Sequence, residues 1–279
     1  VTGPALVLAA GSSVVWGVAD FSGGSLTRRL PTFAVTVVSQ AAGFVALAAA
    51  AGLRGDVGAR SFGLGVLGGL GGGAGLAAFY RALSLGTMSI VSPLVACGAV
   101  VPFAISIATG ERPRVAALAG AVVALTGAVL ASVEEGRAAS RERLRAVALA
   151  AFAALALGLF VYFLGLGSRE GDALSALLGA RVGSLGLLLA AALVVGAPLG
   201  LPRRWLPATV AVGLADVSAN ALFALASGRG LLALVSVLGS LYPVVTVLLA
   251  HVALGERLTL LQRLGVLAAV VGVAAIAGA

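Results

Sequence analysis

The sequence of 279 residues contains no lysine, one cysteine (Cys97), one histidine (His251) and one methionine, and only 10% of its residues are charged. Each shortage closes a class of reading. One cysteine cannot form an internal disulfide, and one Cys with one His supplies no metal cluster. A His-Glu-x-x-His hydrolase helix needs a second histidine, and neither a Ser-His arrangement nor a convincing pair of catalytic aspartates is present. No metal, no cofactor and no enzymatic activity are therefore expected. The charged fraction also falls far below the roughly 25% usual in soluble domains.

What is abundant is apolar: 61% of residues are hydrophobic, and the mean hydropathy is +1.15. Uncharged runs recur at 4–24, 32–53, 61–83, 87–109, 114–132, 146–167, 173–199, 205–226, 232–253 and 259–278. As helices, runs of about 20 residues cross a hydrocarbon layer of roughly 30 Å. Barrel strands would be shorter and alternate in polarity, which these do not. The expected fold is an all-α integral membrane protein of ten transmembrane helices. The first run has no basic leader and ends in "TRRL", so it reads as a retained helix and not a cleaved signal.

A net charge of +8 would point to nucleic acid in a soluble protein. Here all 18 basic residues are arginines, mostly between the runs, where they set topology and meet lipid headgroups. No nucleic-acid partner is expected. Assigning alternate connections to alternate sides puts eleven arginines on one side and six on the side of the termini. The positive-inside rule then places the termini outside.

The stretch "FGLGVLGGLGGGAGLAAFYR" (62–81) contains a Gly-x-Gly-x-x-Gly spacing at Gly63, Gly65 and Gly68. A dinucleotide site would need a preceding strand and an acid about twenty residues on, and neither is there. Gly65, Gly69 and Gly73 instead recur every fourth residue, a spacing that lets a neighbouring membrane helix approach closely.

The chain repeats itself. "FYRALSLGTMSIVSPL" (79–94) aligns with "FALASGRGLLALVSVL" (223–238), matching Phe79 with Phe223 and Ser92 with Ser236. "GERPRVAALAGAVVALTG" (110–127) aligns with "GERLTLLQRLGVLAAVVG" (255–272). Residues 1–133 and 146–279 read as two five-helix units joined by a charged linker at 134–145. An odd number of crossings per unit inverts the second copy in the membrane, as in many secondary transporters. Pro102 and Pro243 do not align, so the breaks in the fourth and ninth helices are expected to differ.

With "WGVADF" (16–21), "ALSLGTMSIVSPL" (82–94) and the paired "GER" motifs, this order of features resembles the EamA-type transporters of the drug/metabolite transporter superfamily. The resemblance implies a ten-helix exporter of a small metabolite, such as an amino acid or related compound, working by alternating access. It further implies a coupling proton or exchanged solute, residence in the bacterial inner (plasma) membrane, and a monomer or homodimer. A lipid flippase or a structural membrane protein is the alternative. Val237 stands where the first copy has Pro93, and no Trp-Gly pair opens the second unit.

Ionisable groups inside apolar helices are costly and mark candidate sites. Trp16 and Asp20 lie one turn apart on one helical face, as a cavity wall or as a headgroup-level pair. Arg181 offers a fork for a carboxylate or phosphate, or else an ion pair with Asp216 or Asp20, and Gln40 holds the corresponding place in the first unit. Asp216 and Asn220 give the eighth helix a polar face, and Tyr242 sits beside the kink at Pro243. Arg81 is expected to snorkel to the interface and His251 to be interfacial. Glu111 and Glu256 are expected to cap the helices that follow them, the second with a Thr259–Gln262 capping box.

Overall fold

The computed structural model describes residues 3–86, 88–130, 141–170, 172–254 and 259–278. Among them are twelve α-helices and no strand: α1 (Gly3–Thr27), α2 (Thr32–Arg54), α3 (Ala59–Leu85), α4 (Met88–Ala96), α5 (Val100–Ala108), α6 (Val115–Leu130), α7 (Arg141–Arg169), α8 (Ala173–Val195), α9 (Leu206–Ser227), α10 (Leu232–Gly239), α11 (Tyr242–Leu254) and α12 (Leu260–Gly278). Seven stretches are long and apolar enough to cross a membrane, namely α1, α2, α3, most of α7, α8, α9 and the α10–α11 pair. The apolar stretches 94–108, 115–127 and 263–272 are shorter.

Two boundaries differ from expectation. The charged segment expected as a linker is helical from Arg141, because Arg, Glu and Leu are strong helix formers; its earlier part lies outside the described residues. Helix α8 ends at Val195, four residues early, because Gly196 adopts φ +62°. The Ala197 amide then bonds back to the Ala192 carbonyl at 2.8 Å, the six-to-one bond of a Schellman ending.

The interior is small-residue and the exterior large. Ala5, Ala9, Ala34, Ala150 and Ala219 are wholly buried, whereas Val7, Leu53, Leu193, Val194 and Val252 are at least 70% exposed. Lipid solvates Val and Leu as well as a core does, so association comes from close packing and small residues go inside. Helix α3 is the clearest case. Cβ atoms built on Gly65 and Gly69 would each stand 2.1 Å from a carbonyl oxygen of α8, those of Ala176 and Ala180, and one on Gly73 would stand 2.8 Å from that of Ser184. The opposite face, Gly68, Gly71 and Gly75, lies against Phe163, Ala156 and Leu157 of α7.

These contacts also give the sense of packing. Contacts from Gly65 to Gly73 climb α8 from Ala176 to Ser184, so the helices run parallel; contacts from Gly68 to Gly75 descend α7 from Phe163 to Leu157, so that pair is antiparallel. Helix α9 repeats the arrangement. Gly213 lies against the Ser39 carbonyl and Val217 against Gly43, parallel to α2, while Ser12 of α1 bonds to Ala219 and Leu26 shares a groove with Trp205, antiparallel to α1. Helices α6 and α12 pack on each other through Gly120, Ala124 and Gly272.

The two helix breaks fall at corresponding places, contrary to the expectation from the prolines. One is a 3-10 turn at Cys97–Ala99, the other the turn at Ser240 and Leu241. Pro102 removes the amide that would bond Gly98, and Pro243 the one that would bond Gly239. The Gly98 carbonyl then meets Gly158 of α7, where a Cβ would stand 2.4 Å away.

Candidate functional site

The helices surround a central, partly open cavity of about 90 Å³ between the two sequence units. Trp16, Asp20, Gln40 and Arg181 line it, together with Asp216, Asn220 and Tyr242, so every candidate side chain of the sequence is brought to one place.

Arg181 is the hub. Its Nη2 lies 2.7 Å from Asp216 Oδ2, and its Nη1 donates to Gln40 Oε1. Ser184, one turn along α8, donates to the same Gln40 oxygen at 2.8 Å, and Gln40 Nε2 points to Asp216 Oδ2 at 3.4 Å. Asn220 Nδ2 donates to the Asp216 carbonyl at 2.7 Å. Arg181 is 4% exposed, and its ion pair with Asp216 joins α8 to α9. The Nη2 approach lies off the N–H axis, so charge is met without an aligned hydrogen bond.

Asp20 lies across the cavity on α1, 7% exposed. It makes no ion pair with a described residue. It stands in the cavity wall. Rings frame the same space: Trp16 stands 5.6 Å from Phe223 and 6.5 Å from Tyr242, and Tyr242 stands 6.5 Å from Phe79. Two further buried polar atoms at the cavity lack partners, Asn220 Oδ1 and Ser236 Oγ.

Sequence reasoning missed Phe79, Ser236 and Ser240 as lining residues. Apolar and hydroxyl residues raise no alarm in a membrane helix, yet the self-alignment already paired Phe79 with Phe223 and Ser92 with Ser236. Arg81 is exposed at the end of α3 and reaches Ser84 at 3.4 Å. His251 is half-buried near the end of α11. Gly65, Gly69 and Gly73 line the α3–α8 contact.

One end of the molecule is tied across the units. Arg54, ending α2, forks onto Asp172 at 2.6 and 2.9 Å, and the Gly58 and Ser175 amides each donate to the same carboxylate at 3.0 Å. The Arg54 guanidinium holds the Asp172 carboxyl well below the usual carboxylate range. Glu111 corrects an expectation, since it caps a helix of the other unit and not its own. Its two oxygens accept from the Leu232 and Ala233 amides at 3.0 and 2.9 Å, with Arg169 alongside at 2.5 Å. The helix dipole of α10 favours a carboxylate there as well as α6 would. Glu256, and the capping box that needs Gln262, fall outside the described residues and side chains.

Residues 144–278 match the sequence profile of the EamA-like transporter family. The matched stretch, just under half of the chain, is similar to an EamA unit. That match and the seven long apolar helices support an integral membrane protein of the drug/metabolite transporter type. A solved crystal structure, described only as that of a protein, is similar over 99% of this chain and 96% of its own length, at 21% identity and a TM-score of 0.74. That likeness is one of fold. No curated protein matches the sequence.

Proposed function

We propose that the chain is a secondary transporter of ten membrane crossings, built as two inverted five-helix units, which exports a small metabolite such as an amino acid or related compound from the bacterial cytoplasm. The observation that carries this reading is the cavity between the units, where a buried Arg181–Asp216 pair, Asp20 and Gln40 converge from four different helices. Inverted-repeat transporters bind substrate at such a junction, and rocking of one unit on the other exposes it to each side in turn.

The inversion is supported by the sense of the helix contacts. Helix α3 runs parallel to α8 and antiparallel to α7, and α9 runs parallel to α2 and antiparallel to α1. Exchange of the units maps one set onto the other. The cavity volume of about 90 Å³ lies below the roughly 300 Å³ of ordinary ligand pockets, so a metabolite enters only when helices part. A charged, walled cavity favours a small solute over the flippase alternative, which needs a broad apolar path for acyl chains.

The test is ligand-dependent thermal stabilisation of the purified protein against amino acids, organic anions, amines and nucleotides, run in parallel on Arg181→Ala. A stabilising compound whose effect disappears in the folded variant supports the reading. Stabilisation unchanged by the substitution demotes Arg181 to helix packing and moves the site to Asp20, Trp16 and Asp216, whereas no stabilising compound in any class contradicts the reading.

A further inference from the structure

We propose that the central cavity selects a solute bearing an organic cationic group, with Asp20 as its counter-charge and the rings of Trp16, Phe79, Phe223 and Tyr242 as its walls. This rests on the reading of the cavity as the substrate site and adds a charge class to it. The argument begins with the charges in the wall: two carboxylates, Asp20 and Asp216, stand against one guanidinium, Arg181. Arg181 is already engaged with Asp216 at 2.7 Å and with Gln40 through Nη1. An anionic substrate would have to displace Asp216 and then lie within the field of two displaced or unpaired carboxylates. Asp20 remains, more than nine-tenths buried and without an ionic partner among the described residues.

A buried carboxylate in that state is costly, and a bound cation removes the cost. The unmet hydrogen-bonding capacity points the same way, because Asn220 Oδ1 is a buried acceptor with no donor, as an ammonium group would supply. The walls fit too. Phe223, Trp16, Tyr242 and Phe79 form a chain of rings with neighbouring centroids 5.6 to 6.5 Å apart, and aromatic faces attract cations within about 6 Å. Trp16 stands one helical turn from Asp20, so ring face and carboxylate address the same guest.

The test uses charge-matched pairs and the Trp205→Phe variant, in which Trp16 is the sole tryptophan. Trp16 fluorescence is titrated with choline and its neutral isostere 3,3-dimethylbutan-1-ol, with phenethylammonium and 2-phenylethanol, and with zwitterionic L-alanine. At least one cation is expected to bind tenfold or more tightly than its neutral partner. Asp20→Asn is expected to erase that preference. Equal binding of cation and neutral isostere, binding of neither cation, or a charge preference that survives Asp20→Asn overturns the proposal. The comparison of isosteres in the protein with Asp20 intact decides the matter even if Asp20→Asn does not fold. Counterflow of an organic anion such as L-lactate into proteoliposomes without cation binding overturns this inference alone and leaves the transporter reading standing; the loss of all binding and all counterflow takes both.

Discussion

Arg181 is the residue on which the central packing turns. Removing one member of a buried pair leaves the other charged and unpaired, at a cost of about 3–5 kcal/mol, whereas removing both costs far less. Arg181→Ala should therefore lower the melting temperature in detergent more than the double variant Arg181→Ala, Asp216→Asn, despite carrying fewer changes. Equal or greater loss in the double variant would mean that the pair contributes nothing specific. Asp172 makes a different prediction, through pH. Its folded carboxyl titrates below the unfolded one, so its contribution is fully present above about pH 4 and is lost as pH falls toward the folded value. The melting difference between the native protein and Asp172→Asn, roughly 1 kcal/mol at a partly exposed site, should be flat from about pH 5 to 8 and shrink below about pH 4. Arg181, Asp216, Asn220 and Asp20 were legible in the sequence because charge and amide groups stand out in an apolar helix. The Gln40 bridge was legible only as a position, since nothing local says which acceptor its amide meets.

At the scale of the helix, glycine substitutions should change sign around α3. Ala normally stabilises a helix over Gly by about 0.5–1 kcal/mol. At Gly63, exposed and with nothing within 4 Å of a built Cβ, Gly63→Ala should gain that amount; at Gly69, where the Ala180 carbonyl oxygen would stand 2.1 Å away, Gly69→Ala should destabilise and Gly69→Leu should abolish folding or transport. Thermal melts of the two alanine variants check this, and parallel gains would refute the close approach. Glu111→Ala should cost about 1–2 kcal/mol through loss of the α10 cap, read as a lower melting temperature. The helices themselves were legible as apolar runs. Their ends and breaks were less so: Gly196 stops α8 by its left-handed backbone, the two breaks correspond although Pro102 and Pro243 do not align, and Glu111 caps a helix 121 residues further along the chain. Each depends on partners that sequence proximity does not reveal.

For the whole molecule, the proposed function requires the cavity to be a path and not a sealed packing defect. One end is held by the Arg54–Asp172 and Glu111–Arg169 pairs, which join the α2–α3 and α5–α6 connections of the first unit to elements of the second. Under the proposed rocking, such ties across the units part when that end opens, and the Arg181 cavity is exposed there. The repeat in the sequence suggests two units, and the parallel and antiparallel helix contacts support the proposed inversion. The most direct measurement is two-sided accessibility of a cysteine placed at Ser236, in the cavity wall, in a Cys97→Ser background in oriented proteoliposomes. Labelling by a membrane-impermeant thiol reagent from each side in turn, slowed by a compound that stabilises the protein, is the predicted result. Labelling from one side alone, or from neither while solute still crosses, would contradict alternating access through this cavity.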